Sequence, residues 1–163
     1  MSSKLIKTGK HLLLSGLLVS VGLWAMPGTA QVKDNQLNAF VDALRVAAPP
    51  QSPKDGMYSP WQVLPGIIPD WTKRCIGKSM TPAQFEADEA AARQTVSCIA
   101  RRELNNQMKA TGNNETAAVR GAACWWMTGK YTGCTNGFQA TYVQNVAKAY
   151  QERIGGGGGV TKP

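Results

Sequence analysis

The stretch TPAQFEADEAAARQTVSCIARRELNNQMKA, residues 81–110, decides the fold class. Thr81 offers a capping hydroxyl, Pro82 stands where a first helical turn tolerates a missing N–H, and Gln84 completes a capping box. Glu86, Asp88 and Glu89 follow in the early turns, where the helix dipole favours acidic groups. Arg101, Arg102 and Lys109 come late, where it favours basic ones. At about 100° per residue, Phe85, Ala92, Val96, Ile99, Ala100, Leu104 and Met108 share roughly one half of the surface. A single amphipathic helix starting at Pro82 is predicted. Cys98 falls off the centre of the apolar stripe, so a bond from it would staple a neighbouring segment to the outside of the helix.

Similar patterns flank this segment. Residues 31–48 predict a first helix, with Leu37, Phe40, Val41 and Leu44 at i, i+3, i+4 and i+7, stopped by Pro49-Pro50. Gly112-Asn113-Asn114 ends the central helix and caps another over about 115–127. A last helix is predicted over about 138–154, with Phe138, Tyr142, Val146, Ala149 and Tyr150 on one side. Between the first two helices, residues 49–74 carry six prolines among Met57, Tyr58, Trp61, Val63, Leu64, Ile67, Ile68 and Trp71. That many prolines argue against regular structure, and that many large apolar groups argue against a solvated linker. The expected architecture is all-α: a small bundle of about four helices with an ordered proline-rich arm over residues 49–74, stapled by two disulfides.

Residues 1–30 read as an export signal. Lys4, Lys7 and Lys10 give a positive start, Leu12 to Ala25 is apolar apart from two Ser and two Gly, and Gly28-Thr29-Ala30 offers small residues before Gln31. The apolar run is shorter than the roughly 20 residues needed to span a bilayer, so no anchor is expected after cleavage. The periplasm or cell exterior of a bacterium is the expected destination. The expected organisation is a cleaved signal over 1–30, one helical domain over 31–154, and a disordered tail over 155–163 that opens with five glycines.

Export would place Cys75, Cys98, Cys124 and Cys134 in an oxidising compartment. Short loops cost least to close, which favours Cys75–Cys98 with Cys124–Cys134. A rival pairing joins Cys98 to Cys124 and Cys75 to Cys134. Each bridge would contribute roughly 2–4 kcal/mol. The chain of 163 residues has a net charge of +8, and removal of the leader with its three lysines leaves 15 basic and 10 acidic residues, a net +5. Scattered charge of this size suits an acidic protein partner or an anionic wall polymer. Nucleic acid is a weak reading without a recognition motif.

His11 is the only histidine and lies in the leader. The mature chain therefore has no Ser-His-Asp triad, Cys-His dyad or histidine-based metal site. No metal or cofactor is expected. Carboxylate-only catalysis is left, with Glu103 beside the apolar stripe as the candidate: desolvation there would favour the protonated form that a general acid needs. The structural alternative is an ion pair with a base such as Arg120. Asp70, beside Trp71, is a conceivable second carboxylate. Glu86, Asp88 and Glu89 read as ordinary surface charges, and Asn105, Asn106 and Gln107 as uninformative polar surface.

Trp125 and Trp126 point about 100° apart on a helix, so both cannot face one core. One of them would serve as an anchor for a partner or a sugar, assisted by Tyr131, or would be covered by the arm through Trp61 and Trp71. Arg101, Arg102 and Lys109 form a loose basic patch, which Lys73 and Arg74 would join. These readings add up to an exported, non-enzymatic binding or accessory protein of the bacterial envelope. It would act by protein–protein contact, with Trp125 or Trp126 as anchor and Arg101, Arg102 and Lys109 as steering charges. One alternative is a cell-wall polysaccharide hydrolase using Glu103; another is a structural subunit of an envelope assembly. Oligomeric state is left open. Expressed with its leader in a bacterial host, the protein should be recovered outside the cytoplasm as a chain beginning at Gln31. Intact-mass measurement checks this, and a retained leader would contradict it.

Overall fold

Six α-helices and one short 3-10 turn form among the residues that the computed structural model describes, 31–52 and 55–156. They are α1 (Asp34–Ala47), α2 (Ile68–Ile76), α3 (Pro82–Ala87), α4 (Glu89–Ala110), α5 (Glu115–Thr128) and α6 (Gly137–Gly155), with the 3-10 turn at Pro65–Ile67. The expected export signal, 1–30, and the expected tail apart from Gly155, which closes α6, and Gly156 lie outside the described residues. The all-helical class holds, with two disulfides, but there are six helices in place of about four.

Two differences account for the extra helices. The predicted long helix is split at Asp88, which takes φ −120° and ψ 84°, and its side chain accepts the Ala91 N–H at 2.9 Å. The same aspartate thus ends α3 and caps α4, because a short carboxylate competes for nearby backbone donors. Upstream, Thr81 and Gln84 form the expected reciprocal cap: the Gln84 N–H donates to Thr81 Oγ1 at 3.3 Å and the Thr81 N–H to Gln84 Oε1 at 2.9 Å. The second difference is in the arm. Its prolines do not exclude helix, since Pro65 opens the 3-10 turn and Pro69 stands in the first turn of α2. A missing N–H costs nothing there. Gly77, at φ 74°, terminates α2 in a left-handed cap.

α1 packs on α4 and α6, and α5 packs on the same two helices, so the four close a ring of contacts; α2 and α3 lie against α4. Phe40, Val41, Leu44, Val96, Ala100, Leu104, Val119, Ala123, Val146 and Tyr150 are the buried centre. α4 and α5 approach closely at Gly121, where a Cβ would fall 2.2 Å from Oε1 of the buried Gln107. Along α1 and α4 the pairs Asp34–Arg101 (2.5 Å), Asp42–Arg93 (2.6 Å) and Arg45–Glu89 (2.5 Å) run antiparallel. Partly exposed pairs each contribute about 1 kcal/mol or less. Their consequence is register, which they fix at three levels.

The arm enters the core through Trp61. This side chain is 1% exposed, and its Nε1–H donates to the Val41 carbonyl at 2.8 Å. The Arg45 guanidinium covers the ring at 5.5 Å. An antiparallel bridge between Tyr58 and Val63 closes the intervening turn, with the Gln62 N–H on the Ser59 carbonyl at 2.9 Å. Glu86 accepts the Ser59 N–H, and Gln51 Nε2 donates to the Ser59 carbonyl at 3.0 Å. Glu86, Asp88 and Glu89 therefore each hold something: the arm, a helix start and Arg45.

The disulfides are Cys75–Cys98 and Cys124–Cys134, the pairing that short loops favour. Cys98 is exposed, and it staples the end of α2 to the outside of α4. Replacing Trp61 by alanine should cost about 3–5 kcal/mol. Replacing it by phenylalanine, which keeps most of the volume but removes the N–H donated to the Val41 carbonyl, should cost about 0.5–1.5 kcal/mol. Urea unfolding checks both. A loss below about 1 kcal/mol for the alanine variant would show that the arm is not anchored there.

Candidate functional site

α2, α4, α5 and the loop before α6 meet in an aromatic ladder. Trp71 lies 6.3 Å from Trp125 with rings 15° apart, and 5.6 Å from Trp126 with rings tilted by 51°. Tyr131 stacks on Trp125 at 6.4 Å, and the Arg102 guanidinium stands 5.9 Å from the Trp125 ring. Both disulfides brace this cluster. Cys75 follows Trp71 by one helical turn, Cys98 precedes Arg102 by one turn, Cys124 adjoins Trp125, and Cys134 closes the loop carrying Tyr131. All four rings are half-buried. Of the two arm indoles, Trp71 packs on the pair, stacked on Trp125 and tilted against Trp126; Trp61 turns instead to α1. Trp125, packed against two rings and a guanidinium, is not an open platform for a sugar.

Glu103 sits beneath the ladder and is 3% exposed. Arg102 Nε donates to its Oε1 at 2.5 Å, the Tyr131 hydroxyl donates to Oε2, and Asn106 Nδ2 is 3.5 Å from Oε2. Its partner is therefore Arg102, not Arg120, because the helix turns the neighbouring guanidinium over the ladder and Arg120 points to solvent. Three donors engage this carboxylate as an acceptor. Asp70 is exposed in the first turn of α2.

The basic patch separates into different duties. Arg101 binds Asp34 and donates to the Val32 carbonyl at 3.1 Å, Arg102 serves the ladder, and Lys109 is exposed on the last turn of α4. Asn105 accepts the Val32 N–H at 2.8 Å. With Asn106 on Glu103 and Gln107 against Gly121, none of these three polar residues is idle surface.

A second feature is a groove between the end of α1 and the outer face of α6, of about 610 Å³. It adjoins a recess of about 200 Å³ between the arm, the end of α5 and α6. Ala48, Pro49, Phe138 and Tyr142 are common to both, and Trp126 and Trp61 line the recess. Val46 (63% exposed), Leu64 (53%) and Phe138 (59%) border this continuous surface. The helical pattern placed Phe138 on the buried side of the last helix. It is exposed because the first turn of α6 overhangs the recess. Leu64 and Val46 carried no sequence signal of their own, since helical or arm-wide apolarity reads as burial.

Among the described residues no helix is long and apolar enough to cross a membrane, and no cluster of three His, Cys, Asp or Glu residues could hold a metal ion. Comparison with protein-family models, curated proteins and solved structures finds no match.

Tyrosine chemistry gives a direct check on this packing. Burial raises the Tyr131 hydroxyl above its ordinary pKa, and its hydrogen bond to Glu103 adds to the effect. Burial alone raises Tyr142 strongly, and burial with Glu115 as acceptor raises Tyr150. Each is raised on folding, so the stability it contributes is complete below the unfolded value of about 10. That contribution is lost as pH climbs through the folded values. Urea unfolding across the alkaline range should show this fall, and Tyr150→Phe should make it shallower. An alkaline limb unchanged in that variant would contradict the assigned burial.

Proposed function

We propose that the protein is an exported, non-enzymatic binding protein of the bacterial envelope that works by protein–protein contact. One observation carries this reading. The three exposed large hydrophobic side chains among the described residues, Val46, Leu64 and Phe138, stand around one continuous depression. Scattered apolar side chains on a surface need no explanation, whereas a contiguous group around a concavity marks a contact site. Trp126, one of the two indoles expected to anchor a partner, lines the same depression. Through Trp71 and Trp125 the ladder connects it to Arg102. Lys109 is exposed and available as a steering charge, while Arg101 is committed to α1 and Arg102 to Glu103 and the ladder.

Two disulfides suit an oxidising destination outside the cytoplasm. The hydrolase reading gains no comparable support, since Glu103 is engaged by Arg102, Tyr131 and Asn106. A subunit that docks its arm on a neighbour is disfavoured because the arm spends Trp61 on its own core.

The test is crosslinking and affinity capture of the tagged protein from its envelope fraction, read by mass spectrometry. One dominant protein partner is expected. Leu64→Ser and Phe138→Ser should each weaken capture about tenfold with the helical circular-dichroism signal unchanged, because exposed substitutions alter stability by only about 0.5 kcal/mol. Capture unaffected by both substitutions, or recovery of wall polymer alone, would contradict the proposal.

A further inference from the structure

We infer that the cavity between α4, α5 and the loop closed by Cys124–Cys134 binds an N-acylated amino acid, the chemistry of a peptide's C-terminal residue. Arg120 takes its carboxylate and Gln107 its amide. The cavity is separate from the groove and the recess, so it stands or falls without the partner contact proposed there.

The cavity holds about 390 Å³. Arg120 is the one charged residue on its lining. It is exposed and takes no part in the ion pairs among the described residues, which engage Arg45, Arg93, Arg101 and Arg102. With no carboxylate on the lining, the guanidinium's field there is uncompensated and favours an anion. A single cation among uncharged neighbours suits a monoanion better than a phosphate dianion. A planar carboxylate also matches the guanidinium fork.

Gln107 sets the rest of the ligand. It is only 8% exposed and lines the same cavity. Its backbone carbonyl accepts the Thr111 N–H at 2.9 Å and the Thr111 hydroxyl at 2.8 Å, whereas its carboxamide makes no hydrogen bond among the described residues. The side-chain polar atoms there that are wholly occluded without a partner are Gln62 Nε2 and Thr95 Oγ1. The Gln107 amide is not one of them, so it keeps access to the cavity while the rest of the residue is buried. Folded proteins pair the great majority of buried polar groups, and an open carboxamide on a cavity wall therefore defines what the cavity lacks. A carboxamide both donates and accepts, and its complement is a second amide. Gly121 holds it in place: a Cβ there would fall 2.2 Å from Gln107 Oε1, so the side chain lies against the α5 backbone, one residue from Arg120. An amide next to a carboxylate is an N-acylated amino acid.

The remaining walls suit such a ligand. Ala117, Val143 and the Cys124–Cys134 disulfide are apolar and accommodate a small side chain. Thr132 and Thr135 bring exposed hydroxyls to the rim. The disulfide fixes the loop to α5, so the cavity is formed before a ligand arrives.

The test is NMR titration of the disulfide-intact, 15N-labelled protein with N-acetylalanine, with N-acetylalanine amide, acetate and inorganic phosphate as comparators. N-acetylalanine should shift the Gln107 side-chain amide and the Gly121 and Thr135 backbone amides saturably, and its amide should not. Arg120→Met, at an exposed position, should weaken binding about tenfold or more, the value of a charge-assisted hydrogen bond. Gln107→Leu should weaken it about three- to tenfold, and Gly121→Ala should weaken it by displacing the Gln107 amide. Circular dichroism and urea midpoints check that each variant folds, and Arg120→Met carries the test if the two core variants do not. No saturable shift, shifts on another face, or equal affinity for the uncharged amide would overturn the site. Affinity unchanged in folded Arg120→Met would do the same. Acetate or phosphate binding as tightly as N-acetylalanine would show a simple anion site and overturn the role given to Gln107.

Discussion

The indole of Trp61, buried against α1 with its N–H on the Val41 carbonyl, fixes the path of the arm and, through it, the candidate surface. A chain segment with this many prolines has few backbone hydrogen bonds with which to hold itself. It is fastened by side chains instead: Trp61 to α1, the Ser59 N–H to Glu86, and the Ser59 carbonyl to Gln51. With the turn pinned, Gln62 and Leu64 project beside Trp126 and Phe138, and the recess follows. Further along, the arm becomes α2 and delivers Trp71 to the ladder. One buried aromatic thus organises both the groove and the approach to the aromatic cluster.

The two disulfides act on the same region from the other side. Each ties an element of the ladder to its neighbour, and neither crosses between α1 and the rest of the ring of helices. Glu103 belongs to this assembly. An acidic group buried under aromatic rings needs partners to offset its desolvation, and Arg102, Tyr131 and Asn106 provide them. The residue that looked most like a catalytic acid thereby reads as the polar keystone of the ladder. α1 is held separately, by the three ion pairs along α4 and by Arg101 and Asn105 on Val32.

Local rules were the legible part of the sequence. The Thr81–Gln84 cap, the glycine and asparagine breaks around the last two helices and the short-loop disulfides depend on neighbours in the chain, and they appear as expected. Competing local effects were harder. Asp88 suited a dipole-favoured first turn and equally an N-cap, and the cap prevailed. Pro69 was read as a breaker, although proline in a first turn is a start signal. What depends on distant partners was not legible. The pairing of Glu103 with Tyr131 spans 28 positions and that of Asp34 with Arg101 spans 67. Nothing in the residues around Gln62 signals a buried amide without a partner. The candidate indoles were visible by their rarity, but the exposed Leu64 and Phe138 were not, because apolarity along the chain does not reveal where a packing partner ends.

The central claim is that the arm is a fixed wall of the candidate site, held by Trp61. Hydrogen–deuterium exchange on the disulfide-intact protein, read residue by residue, tests it most directly. The Trp61 indole N–H and the amides of Ser59, Gln62 and Val63 should be protected to a degree approaching the helices of the core, as their hydrogen bonds require. Exchange of those positions at the rate of free chain, with α1 and α4 to α6 still protected, would show the arm detached and would remove the wall on which the groove, the recess and the proposed partner contact depend.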